Sequence, residues 1–89
     1  MIRQPIVIIN KLGLHARATA KLVATASAFP CSVRVCGKGR EVDAKNIMQV
    51  MMLAASKGTE VELVADGQGE QEAIEALVTL INDYFGEGE

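Results

Sequence analysis

One histidine stands among residues that are suited to holding a phosphate. His15 is the only histidine of the 89-residue chain; it comes just after Gly13 and just before a helical pattern. The first backbone N–H groups of a helix have no partner inside it, so those of Ala16, Arg17 and Ala18 should point back toward His15. Such groups and the positive end of the helix dipole favour anions. The pattern predicts that a ring nitrogen of His15 accepts a phosphoryl group.

Two basic side chains follow His15 on the predicted helix. Arg17 can offer a charged fork of N–H groups to phosphoryl oxygens, so we assign it to phosphate stabilisation. Lys21 comes one turn later, and we assign it to partner docking. Spacing alone leaves another interpretation open, because a histidine and two cations near a helix start are often only a solvated surface.

The sequence offers no means of taking phosphate from a nucleotide. The segments Gly37-Lys38-Gly39 and Lys57-Gly58-Thr59 lack the spacing of a nucleotide-binding P-loop. No acidic residue lies close to His15 in sequence to orient a hydrolytic His–Ser pair. We therefore expect a phosphoryl-transfer intermediate that depends on a donor protein, rather than a stand-alone catalyst.

The composition excludes other classes of function. The formal net charge is −2, whereas nucleic-acid-binding domains are usually basic, so we expect no nucleic-acid partner. No run of about 18 apolar residues is present, and the N-terminus does not resemble a secretion signal. We expect a cytoplasmic protein with no membrane insertion.

The two cysteines, Cys31 and Cys36, lie at the two ends of a strand pattern. Five residues of extended chain span roughly 16 Å, and a disulfide needs Cα atoms within about 7 Å. We expect free thiols in a reducing cytosol. Two cysteines and one distant histidine also make a poor zinc site, so we expect no metal and no cofactor.

Hydrophobic periodicity predicts seven elements in one domain, residues 1–89. Alternating or β-branched runs predict strands, and stripes of period 3.6 predict helices. The strands are predicted at 5–9, 32–36, 40–44 and 59–65, and the helices at 16–28, 46–53 and 70–85. We expect Ile6 and Ile8 to be buried, Gly86 to follow the last helix as its C′ residue, and the acidic end to fray. The order predicts an α+β fold with a mostly antiparallel sheet and three helices on one face.

The second helix is apolar almost all round. Asn46 is a favoured N-cap residue, and Val50 and Leu53 suit the core. Ile47, Met48 and Met51 then lie partly exposed, and methionine adapts its shape to different partners. We predict that these three residues form a docking surface, although a fully buried helix would show the same pattern.

The chain resembles the HPr-like phosphocarriers of the bacterial phosphotransferase system over nearly its whole length. The motifs that carry the resemblance are Gly13-Leu14-His15-Ala16-Arg17, then Lys45-Asn46-Ile47-Met48, then Lys57-Gly58-Thr59. The resemblance implies an open-faced β-sandwich in the order β-α-β-β-α-β-α. It implies that His15 accepts a phosphoryl group on Nδ1 from enzyme I and passes it to an EIIA-type histidine, with partners meeting Ile47, Met48 and Met51. It does not separate sugar-type from nitrogen-related carriers, and we expect a monomer.

Two positions depart from the pattern of many relatives. Ala18 stands where they have proline, which adds one N–H group to the helix start. Asn46 stands where they have a regulatory serine that an ATP-dependent kinase phosphorylates. Because asparagine cannot form that phosphoester, serine-linked control at this site is in doubt.

Two other functions stay open from the sequence alone. A regulatory binding module would dock partners through the Met-rich second helix without phosphate chemistry. A sensor of a small metabolite could share the same order of elements, but the sequence indicates no pocket for one.

Overall fold

The computed structural model describes residues 1–88, which fold into a four-stranded sheet and three α-helices. The strands are β1 (Ile2–Val7), β2 (Ser32–Gly37), β3 (Arg40–Asp43) and β4 (Glu60–Asp66). The helices are α1 (Ala16–Ser27), α2 (Ile47–Met52) and α3 (Glu70–Asn82), and a 3₁₀ turn follows at Tyr84–Gly86. The predicted α+β class and the order β-α-β-β-α-β-α are confirmed.

All three strand pairings are antiparallel, and the strands lie in the order β1-β4-β2-β3. Side chains alternate between the two faces of a strand, so Val33, Val35 and Leu63 all point into the core and are fully buried. On the opposite face Val64 lies opposite Arg3 on β1 and Arg34 on β2. One face of the sheet is therefore packed against the helices, as predicted for an open-faced sandwich.

The core is built from aliphatic side chains, because the chain is poor in aromatic residues. The stripes of α1 and α3 and the inward positions of β2 and β4 meet in one cluster. Its fully buried larger members, in addition to those of the sheet, are Ile8, Leu22, Val50, Leu77, Ile81 and Phe85. Leu53 is buried as well, which confirms the core positions predicted for the second helix.

The predicted bounds of the first strand, 5–9, are wrong. β1 begins at Ile2, because its pairing with β4 runs from Ile2 opposite Ala65 to Val7 opposite Glu60. Pairing with a partner strand therefore makes Arg3 and Gln4 extended, although both lie outside the run of apolar residues that predicts the strand. Ile8 is fully buried as predicted, whereas Ile6 is only half-buried.

The predicted end of the third helix at Phe85 is also wrong. α3 ends at Asn82, and Tyr84 and Phe85 both have left-handed backbone angles, with φ of 55° and 54°. This turn carries Phe85 into the core, where its side chain is fully buried. Gly86 is consequently not the C′ residue of α3. Glu87, two residues after Phe85, contacts Asn10 and His15. Glu89 lies outside the described residues.

Cys31 and Cys36 are both free thiols, as predicted. Cys31 is buried just before β2, and Cys36 lies within that strand. Over residues 1–88, no helix combines the length and the apolar character needed to cross a bilayer.

Candidate functional site

A tight loop places His15 at the start of α1. The backbone N–H of Gly13 donates to the backbone oxygen of Asn10 at 3.1 Å, and Gly13 has a φ of 64°. The next N–H, that of Leu14, donates to the oxygen of Ala55 at 2.8 Å. Thr19 then closes the first turn of the helix with two bonds, from its N–H to the His15 oxygen and from its hydroxyl to the Leu14 oxygen. Hydrogen bonds on both sides of His15 therefore hold this loop in place.

His15 is the N-cap residue of α1, but its side chain makes no capping hydrogen bond. The N–H groups of Ala16, Arg17 and Ala18 precede the first intrahelical bond and have no acceptor within the helix. The first turn also contains no acidic side chain. Within residues 1–88 these N–H groups therefore lie beside His15 as free donors, at the position of the predicted phosphate-binding backbone.

Both nitrogens of the imidazole face hydrogen-bond acceptors. Nδ1 lies 3.1 Å from the backbone oxygen of Gly13, and Nε2 lies 2.9 Å from Oε2 of Glu87. A neutral imidazole can donate from only one nitrogen, whereas the protonated ring can donate from both. The ring is 29% exposed and Glu87 only 15%. In this arrangement Nδ1 must leave Gly13 before it can accept a phosphoryl group.

Asn10 connects the two acceptors that contact the ring. Its side chain is completely buried, and Nδ2 donates to the Gly13 oxygen at 2.8 Å and to Oε1 of Glu87 at 3.1 Å. His15, Gly13, Asn10 and Glu87 thus form a closed cycle of polar contacts. The imidazole is held from both sides rather than lying free on the surface.

A concave surface opens beside the ring and is rich in positive charge. It is lined by Lys11, Leu12, His15, Ala16, Arg17, Lys21, Gly86 and Glu87. Arg17 is exposed and belongs to the first turn of α1, where its guanidinium can reach a group bound at His15. Lys21 is half-buried, and its ammonium donates to the backbone oxygen of Phe85 at 2.6 Å. Three cations and the start of a helix suit this surface to a phosphate-sized anion.

The second helix exposes an apolar surface. We call Ile47, Met48, Met51 and Met52 the Met-rich surface; their exposed fractions are 45%, 74%, 41% and 59%. An exposed apolar patch on a small protein commonly marks a contact surface. Asn46 caps the helix as predicted, since its side chain accepts a hydrogen bond from the N–H of Gln49 at 3.1 Å.

Several residues of these surfaces are not among the site residues predicted from the sequence. Asn10, Lys11 and Leu12, the last of which is 64% exposed, lie between the first strand and Gly13, where the sequence shows no motif. Met52 was placed in the second helix but not on its exposed side. Glu87 gave no signal at all, because its role depends on the turn at Tyr84 and Phe85 that brings residues 83–88 back to α1.

The chain is similar to known proteins over nearly its whole length. Residues 2–83 match the family model described as the PTS HPr component phosphorylation site. The chain belongs to the HPr family of the phosphotransferase system. It is 57% identical to the phosphocarrier protein HPr of Neisseria meningitidis serogroup A, with all of both chains covered.

Solved HPr structures share the fold. The crystal structure of HPr-C-His from Thermoanaerobacter tengcongensis is 48% identical, with a TM-score of 0.95 over 98% of both chains. A crystal structure of an HPr dimer from the same organism is 50% identical, with a TM-score of 0.79 over 92% of this chain and 94% of that one. This HPr family member is thus a phosphocarrier of the phosphotransferase system by sequence and by fold.

Proposed function

We propose that this HPr family member accepts a phosphoryl group on Nδ1 of His15 from phospho-enzyme I and passes it to a histidine of an EIIA-type domain. The observation that supports this most is the position of His15 in front of the free N–H groups of Ala16, Arg17 and Ala18. The positively charged concave surface beside the ring offers room for the group in transit.

In the accepting step, the lone pair of Nδ1 attacks phosphorus and the bond from phosphorus to the donor nitrogen breaks. Enzymes promote such transfers mainly by positioning and by electrostatic stabilisation. Each backbone N–H that donates to a phosphoryl oxygen contributes about 1.5–3 kcal/mol, and the helix dipole adds about 0.3–1 kcal/mol. Arg17 supplies a further charged donor. Because the surface is open, the group is stabilised but stays accessible to the next protein.

Labelled phosphoenolpyruvate with enzyme I tests this function. We expect label on the wild-type protein with the acid lability and base stability of a phosphohistidine, and no label on a His15→Ala variant. A purified EIIA-type domain should then remove the label. Label that persists in His15→Ala would contradict the proposal.

We propose that enzyme I and the EIIA-type domain both dock on the Met-rich surface, next to the start of α1, with Lys21 assisting. The exposure of Met48 and Met51 favours this, and so does the bond from Leu14 to Ala55, which ties the His15 loop to the segment after α2. The same surface would serve a regulatory binding module without phosphate chemistry. Unchanged partner binding and cellular effect in His15→Ala would favour that second function.

Asn46 gives this chain a different regulatory property from carriers that have serine there. We propose that an ATP-dependent serine kinase does not modify this position, because the side chain lacks a hydroxyl group. The Asn46 amide instead accepts the Gln49 N–H bond and caps α2. Incubation with such a kinase should give no phosphoserine at this position, whereas Asn46→Ser should gain it.

We propose that the carrier acts as a single copy, because His15, Arg17, Lys21 and Glu87 of one chain make up the site. We also propose that it acts in the cytoplasm, which its membership of the HPr family supports. Light scattering of the purified protein tests the monomer. A panel of sugar-specific and nitrogen-related EIIA-type domains, compared by transfer rate, identifies the branch that it serves.

A further inference from the structure

The contacts around His15 form a closed cycle that phosphate binding by itself does not require. Asn10 uses both hydrogens of its amide, one on the Gly13 oxygen and one on Glu87. Those two groups are the ones that face Nδ1 and Nε2 of His15. A single buried side chain therefore positions both partners of the imidazole.

Asn10 is poorly explained by stability alone. Its Oδ1 is buried and makes no hydrogen bond within residues 1–88. Turning the amide over would place Oδ1 against two other acceptors, so the orientation of the group is fixed. An unpartnered buried acceptor destabilises a fold, and an apolar side chain of similar volume would avoid that cost. What the asparagine supplies is a pair of donors aimed at Gly13 and Glu87.

We propose that Glu87 and Asn10 are positioning residues that keep the ring proton of His15 on Nε2, which leaves Nδ1 as the nitrogen that attacks phosphorus. Both nitrogens face acceptors, and the neutral ring has only one hydrogen to donate. The charged carboxylate is the stronger acceptor, and the Gly13 oxygen already accepts a hydrogen bond from Asn10, so the hydrogen stays on Nε2. Asn10 holds the other carboxylate oxygen and so fixes the carboxylate in place. The inference rests on the proposed function, since it specifies which nitrogen of His15 reacts.

The cycle also explains how Nδ1 becomes free. The protonated ring donates to both Gly13 and Glu87. When the proton on Nδ1 passes to solvent, the nitrogen lone pair faces the lone pairs of the Gly13 oxygen, and their repulsion favours a rotation of the ring that moves Nδ1 away from Gly13. The Gly13 oxygen keeps a hydrogen bond, because Asn10 already donates to it at 2.8 Å.

The transfer step then balances without a further proton acceptor. The Nδ1 lone pair forms the bond to phosphorus, and the bond between phosphorus and the donor nitrogen breaks, with its electron pair returning to that nitrogen. The proton on Nε2 stays in place. The negative charge of Glu87 offsets the positive charge that the phosphorylated ring acquires.

Glu87→Gln tests the tautomer directly because an amide has one acceptor and one donor. Its oxygen would keep the bond from Asn10, and its NH₂ group would donate to Nε2 of His15. The neutral ring would then carry its proton on Nδ1 and donate it to the Gly13 oxygen, so that each of the four contacts of the cycle pairs a donor with an acceptor. The conservative variant should therefore block the reactive nitrogen, whereas Glu87→Ala removes the partner without adding a competing donor.

Ring ¹⁵N chemical shifts of the full-length protein, recorded where the imidazole is neutral, give the tautomer. We expect the proton on Nε2 in the wild type and on Nδ1 in Glu87→Gln. Phosphoryl acceptance from enzyme I should slow by about tenfold or more in Glu87→Gln, and by less in Glu87→Ala. Glu72→Gln, which removes the same charge from an exposed position of α3, should match the wild type in both measurements.

Two results would overturn the inference: a proton that stays on Nε2 in Glu87→Gln, or Glu87→Ala being as slow as Glu87→Gln. A wild-type protein that enzyme I does not label would overturn the proposed function instead. The chemical shifts would still decide the tautomer, because they need no phosphoryl transfer.

Discussion

The N–H of Leu14 donates to the backbone oxygen of Ala55 at 2.8 Å, which fastens the loop before His15 to the segment that follows α2. The site is therefore linked directly to the segment next to the Met-rich surface. Gly13 makes this approach possible, since a Cβ atom there would lie 2.6 Å from the Ala55 oxygen and 2.7 Å from the Cα of Ser56. A protein that docks on α2 consequently meets His15 at a fixed position.

Gly13→Ala should destabilise the fold and slow phosphoryl acceptance. Gly39→Ala is the matched control, because Gly39 also has positive φ but nothing within 4 Å of its added Cβ. We expect Gly39→Ala to cost about 1–2 kcal/mol from backbone strain alone, and Gly13→Ala to cost at least about 1 kcal/mol more from the clash. Urea unfolding of both variants measures the difference. An equal loss of unfolding free energy in the two variants would show that the loop can move away from the added Cβ without further destabilisation.

Arg17→Ala should slow phosphoryl transfer and leave the fold intact. Arg17 is exposed and in the first turn of α1, so its removal takes a charged donor from the phosphate and little from the core. We expect the rate to fall by about tenfold with an unchanged unfolding midpoint. Arg34→Ala, which removes an exposed arginine paired with Glu41, is the control and should transfer normally. A near-wild-type rate in Arg17→Ala would show that the backbone donors suffice.

Met48→Asp should weaken the binding of both enzyme I and the EIIA-type domain. Met48 is the most exposed member of the Met-rich surface, at 74%, and a carboxylate there must be desolvated when a partner docks. We expect both dissociation constants to rise by about tenfold or more, measured by calorimetric titration. Gln68→Asp adds the same charge in the exposed loop between β4 and α3 and should have no effect. Unchanged affinity for either partner would contradict a shared docking surface.

Glu70 should make the free energy of unfolding depend on pH in the acidic range. A hydrogen bond from the Gly67 N–H, and then the N-terminal amine beside the carboxylate, lower the pKa of Glu70. Its contribution is therefore present above the ordinary pKa of a glutamate and is lost as the pH falls through the lowered folded-state pKa. Urea unfolding across an acidic pH series should show the gap between the wild type and Glu70→Gln shrinking as the pH falls. A gap that is constant with pH would contradict this.

Much of the fold could be predicted from the sequence because its apolar residues are regular. The stripe through Leu22 and Ala26 predicts α1, and the alternation of Val61, Leu63 and Ala65 predicts β4, since each pattern serves one core. The bounds of β1 could not be predicted in this way, because Arg3 and Gln4 become strand only by pairing with β4. The end of α3 could not be predicted for a related reason. The helical pattern continues to Phe85, but burial of Phe85 in the core requires a turn after Asn82.

The residues of the candidate site also fall into a group that the local sequence predicts and a group that it does not. His15, Arg17 and the free donors of α1 are neighbours in sequence, so local rules of helix geometry suffice to place them. The exposure of Met48 and Met51 followed from the lack of room for every apolar side chain in a small core. Asn10 and Glu87 are brought to His15 only by the whole fold, and no local pattern indicates such a meeting.

The side chains around His15 come from opposite ends of the chain. Asn10 and Glu87 are 77 positions apart, and Lys21 and Phe85 are 64 apart. Contacts across such long loops form late in folding, because the chain must first lose the entropy of closing them. A chain that has not yet closed these loops therefore lacks Glu87 on the ring. The contacts that orient His15 therefore form only when the sheet and α3 have packed together.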